Sequence, residues 1–197
     1  MTPRADASDP LVGQLLDGRY RVEVAVGEGG QGVVYRGVQV NVDRAVAIKV
    51  LRPGASSDAE VVRRFEAEAR IISALRHPNT LRLIDFGRLP DGRLFLVTEF
   101  LHGRSLADVL RDGPLTPQRA LDLIAQICGA LDEAHREGVV HRDLKPANIF
   151  VEQVGSEELA KVLDFGVAKL STQTVETAQG MIIGTPMYMS PEQARGE

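Results

Sequence analysis

Residues 20–26 alternate apolar and polar positions, with Tyr20, Val22, Val24 and Val26 set against Arg21 and Glu23, and residues 33–40 are rich in β-branched side chains. Two strands around a glycine-rich turn are therefore predicted. A third strand is expected over the apolar run 45–51. The period then changes. Across residues 58–75, Val61, Phe65, Ile72 and Leu75 recur at helical spacing, and Glu68 falls within that stripe. Glu66 lies about a quarter turn from Phe65 and should face water. Residues 81–87 and 94–100 read as strands on either side of the turn Pro90-Asp91-Gly92-Arg93.

Beyond residue 100 the pattern becomes helical. Ser105-Leu106-Ala107-Asp108 has the form of a capping box, and Thr116 with Pro117 reads as an N-cap followed by a first-turn proline. The long helix that follows carries Leu121, Ile124, Ile127, Cys128, Leu131 and His135 at helical spacing, and Gly138 ends it. Cys128 is expected to be a packed structural thiol on that stripe, and His135 a helix-end residue with no ligand role. Three segments are expected: a disordered polar tail (1–17), a strand-rich unit with one helix (18–99) and a helical unit (100–197).

Composition narrows the class without naming a function. A chain of 197 residues with 44% hydrophobic residues can bury a sizeable core, and a net charge of −4 gives no support for binding nucleic acid or anionic membranes. The single cysteine cannot form an internal disulfide, which suits a reducing cytosol. No run of some 18 apolar residues is present and the first ten residues lack the apolar core of a signal peptide, so no membrane contact is expected within this segment and a cytoplasmic location is.

Four clusters carry chemistry. In GEGGQGVV, Gly27, Gly29, Gly32 and Val34 lie between two predicted strands, so backbone N–H groups could approach a phosphate chain closely where no Cβ intervenes. A dinucleotide fingerprint would fit the glycines but must open a helix, and residues 33–40 are poor helix material. Lys49 follows in the strand VAIK, and Glu68, costly to bury alone, is its predicted carboxylate partner. HRDLKPANIF, residues 141–150, then places Asp143, Lys145 and Asn148 ahead of Asp164 in Asp164-Phe165-Gly166. Taken alone, HRDLKPAN would pass for a polar loop. GTPMYMSPE spans residues 184–192.

Joint occurrence of these motifs in this order resembles the protein-kinase catalytic domain, most closely the bacterial serine/threonine kinases of eukaryotic type. The resemblance implies an α+β, two-lobed fold with a β-rich N-lobe carrying one key helix, and a helical C-lobe that is incomplete here because the family's large lobe continues beyond Glu197. It implies Mg-ATP as cofactor, with Mn2+ as an alternative ion, and transfer of the γ-phosphate to protein Ser or Thr hydroxyls. Asp143 would accept the substrate hydroxyl proton, Lys145 would sit near the transferring phosphate, and Asn148 and Asp164 would hold metal. Lys49 and Glu68 would form the phosphate-gripping pair. Gly27, Glu28, Gly29, Gly30, Gln31 and Gly32 would cover the phosphates. Val34 and Ala47 would pack above the adenine and Phe150 below it, with Glu99 and Leu101 bonding its edge and Thr98 behind it. The earlier tripeptide Asp85-Phe86-Gly87 precedes the catalytic loop and is not expected to be the metal site. Ser190 replaces the family's usual Ala before Pro-Glu.

Lys145, two residues after Asp143, together with Thr185 points by resemblance to Ser/Thr rather than Tyr acceptors. Arg142, Lys169 and Arg64 would converge on a phosphate placed on the activation segment, at Thr177 first and Thr174 next, and unpaired they would repel one another. Protein substrates and a kinase homodimer for trans-autophosphorylation are the partners implied. Two alternatives stay open: an ATP-binding module without catalytic activity that acts through partner binding, and a small-molecule phosphotransferase, which the SPE ending disfavours. With half of the large lobe missing, the isolated fragment is expected to be inactive and marginally stable.

Overall fold

The computed structural model describes residues 9–29, 32–165 and 186–195, which fall into two compact units. The first comprises residues up to 73 together with 81–102; the second takes 74–80 and the chain from 103 onward.

In the first unit, strands β1 (Leu15–Leu16), β2 (Tyr20–Glu28), β3 (Gly32–Gln39), β4 (Arg44–Leu51), β5 (Leu83–Arg88) and β6 (Leu94–Glu99) form an antiparallel sheet in the order β1-β2-β3-β4-β6-β5. The period-2 alternation of β4 explains its placement: Val46, Ile48 and Val50 are fully buried, and they join Tyr20, Val22, Tyr35, Phe95 and Val97 in one apolar cluster. Helix α1 (Ala59–Ala74) buries Phe65, Glu68, Ala69 and Ile72, the stripe read from sequence. Phe65 packs against Leu51, Leu94 and Leu96 in a second cluster.

Residues 9–16 depart from the expected disordered tail. Leu11 and Leu16 are buried in the sheet's core, and the Tyr35 hydroxyl donates to Asp9 Oδ2 at 2.8 Å. Two leucines at a spacing of five gave no periodic signal, yet their burial offsets the cost of ordering the segment. Asp85, in the early DFG tripeptide, accepts from the Tyr20 hydroxyl at 2.7 Å and pairs with Arg19 at 2.8 Å. Within this unit it ties β5 to β2.

The second unit holds a feature that the helical reading overlooked. Strands β7 (Gly103–Ser105), β8 (Ile149–Val154) and β9 (Glu157–Val162) form a three-stranded antiparallel sheet. Around it lie α2 (Leu106–Arg111), α3 (Pro117–Arg136) and α4 (Pro191–Arg195). Ser105 and Thr116 cap α2 and α3 as their sequences predict.

Helix α3 turns a different face inward from the predicted stripe. Leu123, Ala130 and Ala134 are buried, whereas Leu121 and Ile124 are 62% and 54% exposed and Cys128 is exposed too. The expectation of a packed Cys128 is therefore corrected. Small alanines let α3 approach β9, and polar residues on the same face satisfy the strand: Arg119 grips both oxygens of Glu158, and Gln126 bonds the backbone of Glu158 and Ala160. On this face of α3, polar contacts to the backbone of β9 accompany the packing of Leu123, Ala130 and Ala134.

Candidate active site

The first unit contributes one set of predicted site residues. Gly27 and Glu28 close β2, Gly29 follows it, Gly32 opens β3, and Gly29 N donates to Gly32 O at 2.9 Å. Gly30 and Gln31 lie outside the described residues. A Cβ on Gly32 would stand 2.3 Å from the Val50 carbonyl oxygen, so the close approach of β3 to β4 requires glycine there. Arg52 reaches across to Glu28 Oε1 at 2.8 Å and Gly29 O at 3.0 Å. Cross-strand register pairs Val34 with Lys49 and Ala47 with Thr98, which places these four residues on one face of the sheet. The opposite face of β4 is the core.

Lys49 Nζ lies 2.6 Å from Glu68 Oε1, with the two side chains 20% and 10% exposed. Nζ also sits 5.9 Å from the centroid of the Phe65 ring. Helical periodicity thus delivers Glu68 to Lys49 as the sequence predicts. Glu99 lies on the other face of the sheet, its carboxylate accepting from Arg82 N at 2.9 Å, and Thr98 is buried. The Arg64 guanidinium is 3.0 Å from Glu60 one helical turn away.

The second unit holds the others. Asp143 Oδ2 is 2.9 Å from Lys145 Nζ, and Asn148 Nδ2 donates to Asp143 O at 2.8 Å and to Oδ2 at 3.2 Å. Asp143, Lys145 and Asn148 therefore form one cluster. Asp164 is joined to it by main chain: Leu163 N donates to Asn148 O at 2.9 Å. Arg142 and Asp164 adopt left-handed backbone, with φ of 59° and 46°. For Arg142 this is a strained conformation, of the kind that persists where surroundings over-determine it.

His141 supplies part of that determination. Its Nδ1 accepts from Asp143 N at 3.3 Å and its Nε2 meets Leu163 O at 2.9 Å, which assigns the proton to Nε2. Burial pushes its pKa below the usual histidine value, so the ring is neutral near pH 7. Phe165 packs on it with centroids 5.0 Å apart. The motif HRD flags His141, but only the folded loop shows it joining Asp143 to the strand that leads into Asp164.

A second network was not read from sequence. Glu133 on α3 accepts from Arg76 N and His77 N, at 3.0 and 2.8 Å. Asn79 Nδ2 donates to Gln126 Oε1 and Ala160 O, while Asn79 O accepts from Val162 N at 2.7 Å. The loop after α1 is thereby fixed to β9 two residues before Asp164. Its signals in the sequence were polar residues on an otherwise apolar helix face.

Phe150 sits in β8 of the second unit, half-buried, and Leu101 lies half-buried at the end of the first. Lys169, Thr174, Thr177 and Thr185 lie outside the described residues. Among the described residues no group of three or more His, Cys, Asp or Glu could cage a metal, and no helix is long and apolar enough to cross a membrane. An Asn oxygen and an Asp carboxylate are hard oxygen donors, the type that holds Mg2+ alongside water and phosphate oxygens.

A family model described as the protein kinase domain matches residues 20–197. Serine/threonine-protein kinase pkn3 of Myxococcus xanthus is 45% identical over 98% of this chain and 36% of its own length. PrkC of Bacillus subtilis is 40% identical, over 94% of this chain and 28% of its own, and PknA of Mycobacterium tuberculosis is 42% identical, over 95% and 44%. Thus the chain spans less than half the length of these relatives. A crystal structure of the Mycobacterium tuberculosis PknI kinase domain, 29% identical, superposes with a TM-score of 0.66 over 79% of this chain and 62% of that one. A double mutant of the same domain, 27% identical, gives 0.70 over 93% and 69%. The Lys49–Glu68 pair and the Asp143 cluster thus sit in a fold shared with solved kinase domains, and the chain belongs to the protein kinase domain family.

Proposed function

We propose that the protein to which this chain belongs transfers the γ-phosphate of ATP to Ser or Thr hydroxyls of other proteins. The observation that carries the reading is the cluster around Asp143: a partly buried carboxylate held by Lys145 and Asn148 on a strained loop, in a chain of this family. Names of the relatives as serine/threonine-protein kinases support it.

In this reading Asp143 takes the proton from the acceptor hydroxyl, because its carboxylate is a partly exposed base and Asn148 fixes its orientation. Lys145 offers a cation beside it for charge developing on the transferred group. Lys49, oriented by Glu68, grips phosphate oxygens, and the glycine turn 27–32 bonds them through backbone N–H groups. Val34 and Ala47 offer the apolar face, and Phe150 a second apolar surface, for the purine; Glu99 and Leu101 supply backbone groups for its edge, with Thr98 behind it. Asn148 and Asp164 would hold Mg2+, or Mn2+, which neutralises phosphate charge.

Phosphorylation at Thr177 or Thr174, recognised by Arg142, Lys169 and Arg64, is the regulatory part of the reading. Arg64 would have to exchange Glu60 for the phosphate, a swap favoured by the larger charge. A homodimer phosphorylating in trans is the simplest source of that phosphate. The test is incubation of the full-length protein with Mg-ATP and a protein substrate. Acid-stable phosphoserine or phosphothreonine that disappears when EDTA removes the divalent ion is expected. Nucleotide binding with no transfer to any protein acceptor, itself included, would favour the catalytically idle alternative.

A further inference from the structure

We propose that Gln193 is a positioning residue for Asp143, acting through the peptide unit between Arg142 and Asp143; this rests on the catalytic reading of Asp143 given above. Gln193 Nε2 donates to Arg142 O at 2.8 Å, across 51 positions of sequence. That carbonyl shares its peptide plane with Asp143 N, which donates to His141 O at 2.8 Å and approaches His141 Nδ1 at 3.3 Å. Both polar ends of one peptide unit are therefore held, the oxygen by α4 and the N–H by His141. The unit follows a residue at φ 59°, where an unrestrained non-glycine backbone would relax. Rotation of this plane would swing the Asp143 Cα, and with it the carboxylate that Asn148 and Lys145 orient.

The local sequence builds Gln193 for the task. Ser190-Pro191-Glu192-Gln193 is a reciprocal capping box with proline at the first helical position: Ser190 N donates to Gln193 Oε1 at 3.2 Å and Gln193 N donates to Ser190 Oγ at 3.4 Å. Ser190 Oγ also helps hold the Glu192 carboxyl below its usual pKa. The carboxamide is thus used at both ends, its oxygen at the helix cap and its NH2 on Arg142 O. Glutamate could accept from Ser190 N but, ionised, would set a carboxylate against a carbonyl oxygen. Methionine would fill the space and bond neither group. The stretch that ends the activation segment therefore reports its placement directly to the loop that carries Asp143.

The test uses the full-length protein with Gln193→Glu, Gln193→Met, Ser190→Ala and Asp143→Asn, each assayed for kcat, KM for Mg-ATP and melting temperature. Both Gln193 variants should lose about tenfold or more in kcat with KM for ATP within about twofold, since misplacement of a reacting group acts on the transition state and not on the nucleotide. Ser190→Ala removes the cap but leaves the amide on Arg142 O, so it should keep kcat within about twofold. The inference is overturned if both Gln193 variants keep wild-type kcat, if Ser190→Ala loses as much as they do, or if their losses vanish when rates are normalised to the nucleotide-binding fraction. Substantial turnover by Asp143→Asn would instead remove the catalytic reading itself, and the positioning role with it.

Discussion

Lys49 and Glu68 meet at 2.6 Å, on side chains only 20% and 10% exposed, although 19 residues of strand, loop and helix separate them. A carboxylate on the buried face of an amphipathic helix is tolerated because the cation waits on the facing strand. Removing either partner leaves the other charge poorly solvated. Glu68→Gln and Lys49→Met should each lower stability by roughly 2–4 kcal/mol, and Lys49→Met should also abolish transfer. The double variant should be less destabilised than the sum of the singles, which a double-mutant cycle in denaturant reads out.

The Tyr20 phenol titrates late, its pKa pushed up from about 10 to about 12 by burial and by the bond to Asp85. A raised phenol pKa means the folded state keeps its proton longer than the unfolded state. Its contribution is complete below pH 10 and is lost as pH rises toward 12. Stability should fall over that window by roughly 2–3 kcal/mol from this group. Tyr20→Phe should flatten the alkaline limb in a pH series of thermal melts, with the remaining slope left to Tyr35, which burial and Asp9 also raise.

His141 gives the opposite limb. Its pKa is depressed by burial, so its contribution is present above about 6.5 and is lost as pH falls through the lower folded value. NMR of the ring should show a neutral Nε2–H tautomer at pH 7. A charged ring at that pH would contradict the network that joins Asp143 N to Leu163 O.

Asn79→Ala should cost about 1–3 kcal/mol, because it strips donors from the buried Ala160 carbonyl and from Gln126. Glu133→Gln exchanges a carboxylate for an amide and should cost less, since the amide oxygen still accepts from the loop. Thermal melts of the two variants should rank in that order.

Strand β4 and helix α1 were legible because each buries one face, so period 2 and period 3.6 are written in their side chains, whereas β6, buried on both faces, was legible as a short apolar run beside a turn. The contact of Glu68 with Lys49 was legible from helical period, and motif order singled out Asp143 and Asn148, which the fold brings into one cluster. The hairpin of β8 and β9 was overlooked although Gly155-Ser156 marks its turn, with Gly155 at φ 63°. The face of α3 that meets β9 and the loop after α1 was not legible, because Gln126, Glu133 and Arg119 are polar residues that satisfy a strand and a loop, which hydrophobic periodicity cannot register. Leu11 and Leu16 lie in a segment too short to show a period. Gln193 was not singled out, because its bond to Arg142 spans 51 residues and leaves no local signal.

The central claim is that Asp143 is the base of a phosphoryl transfer, and Asp143→Asn in the full-length protein tests it most directly. The amide keeps the size of the side chain and can still meet Asn148, but it cannot take a proton. Steady-state phosphorylation of a protein Ser/Thr substrate should fall by about a hundredfold to ten-thousandfold, the range a positioned general base contributes, while the dissociation constant for Mg-ATP stays within about threefold. Turnover near the wild-type rate, with nucleotide binding intact, would contradict the account.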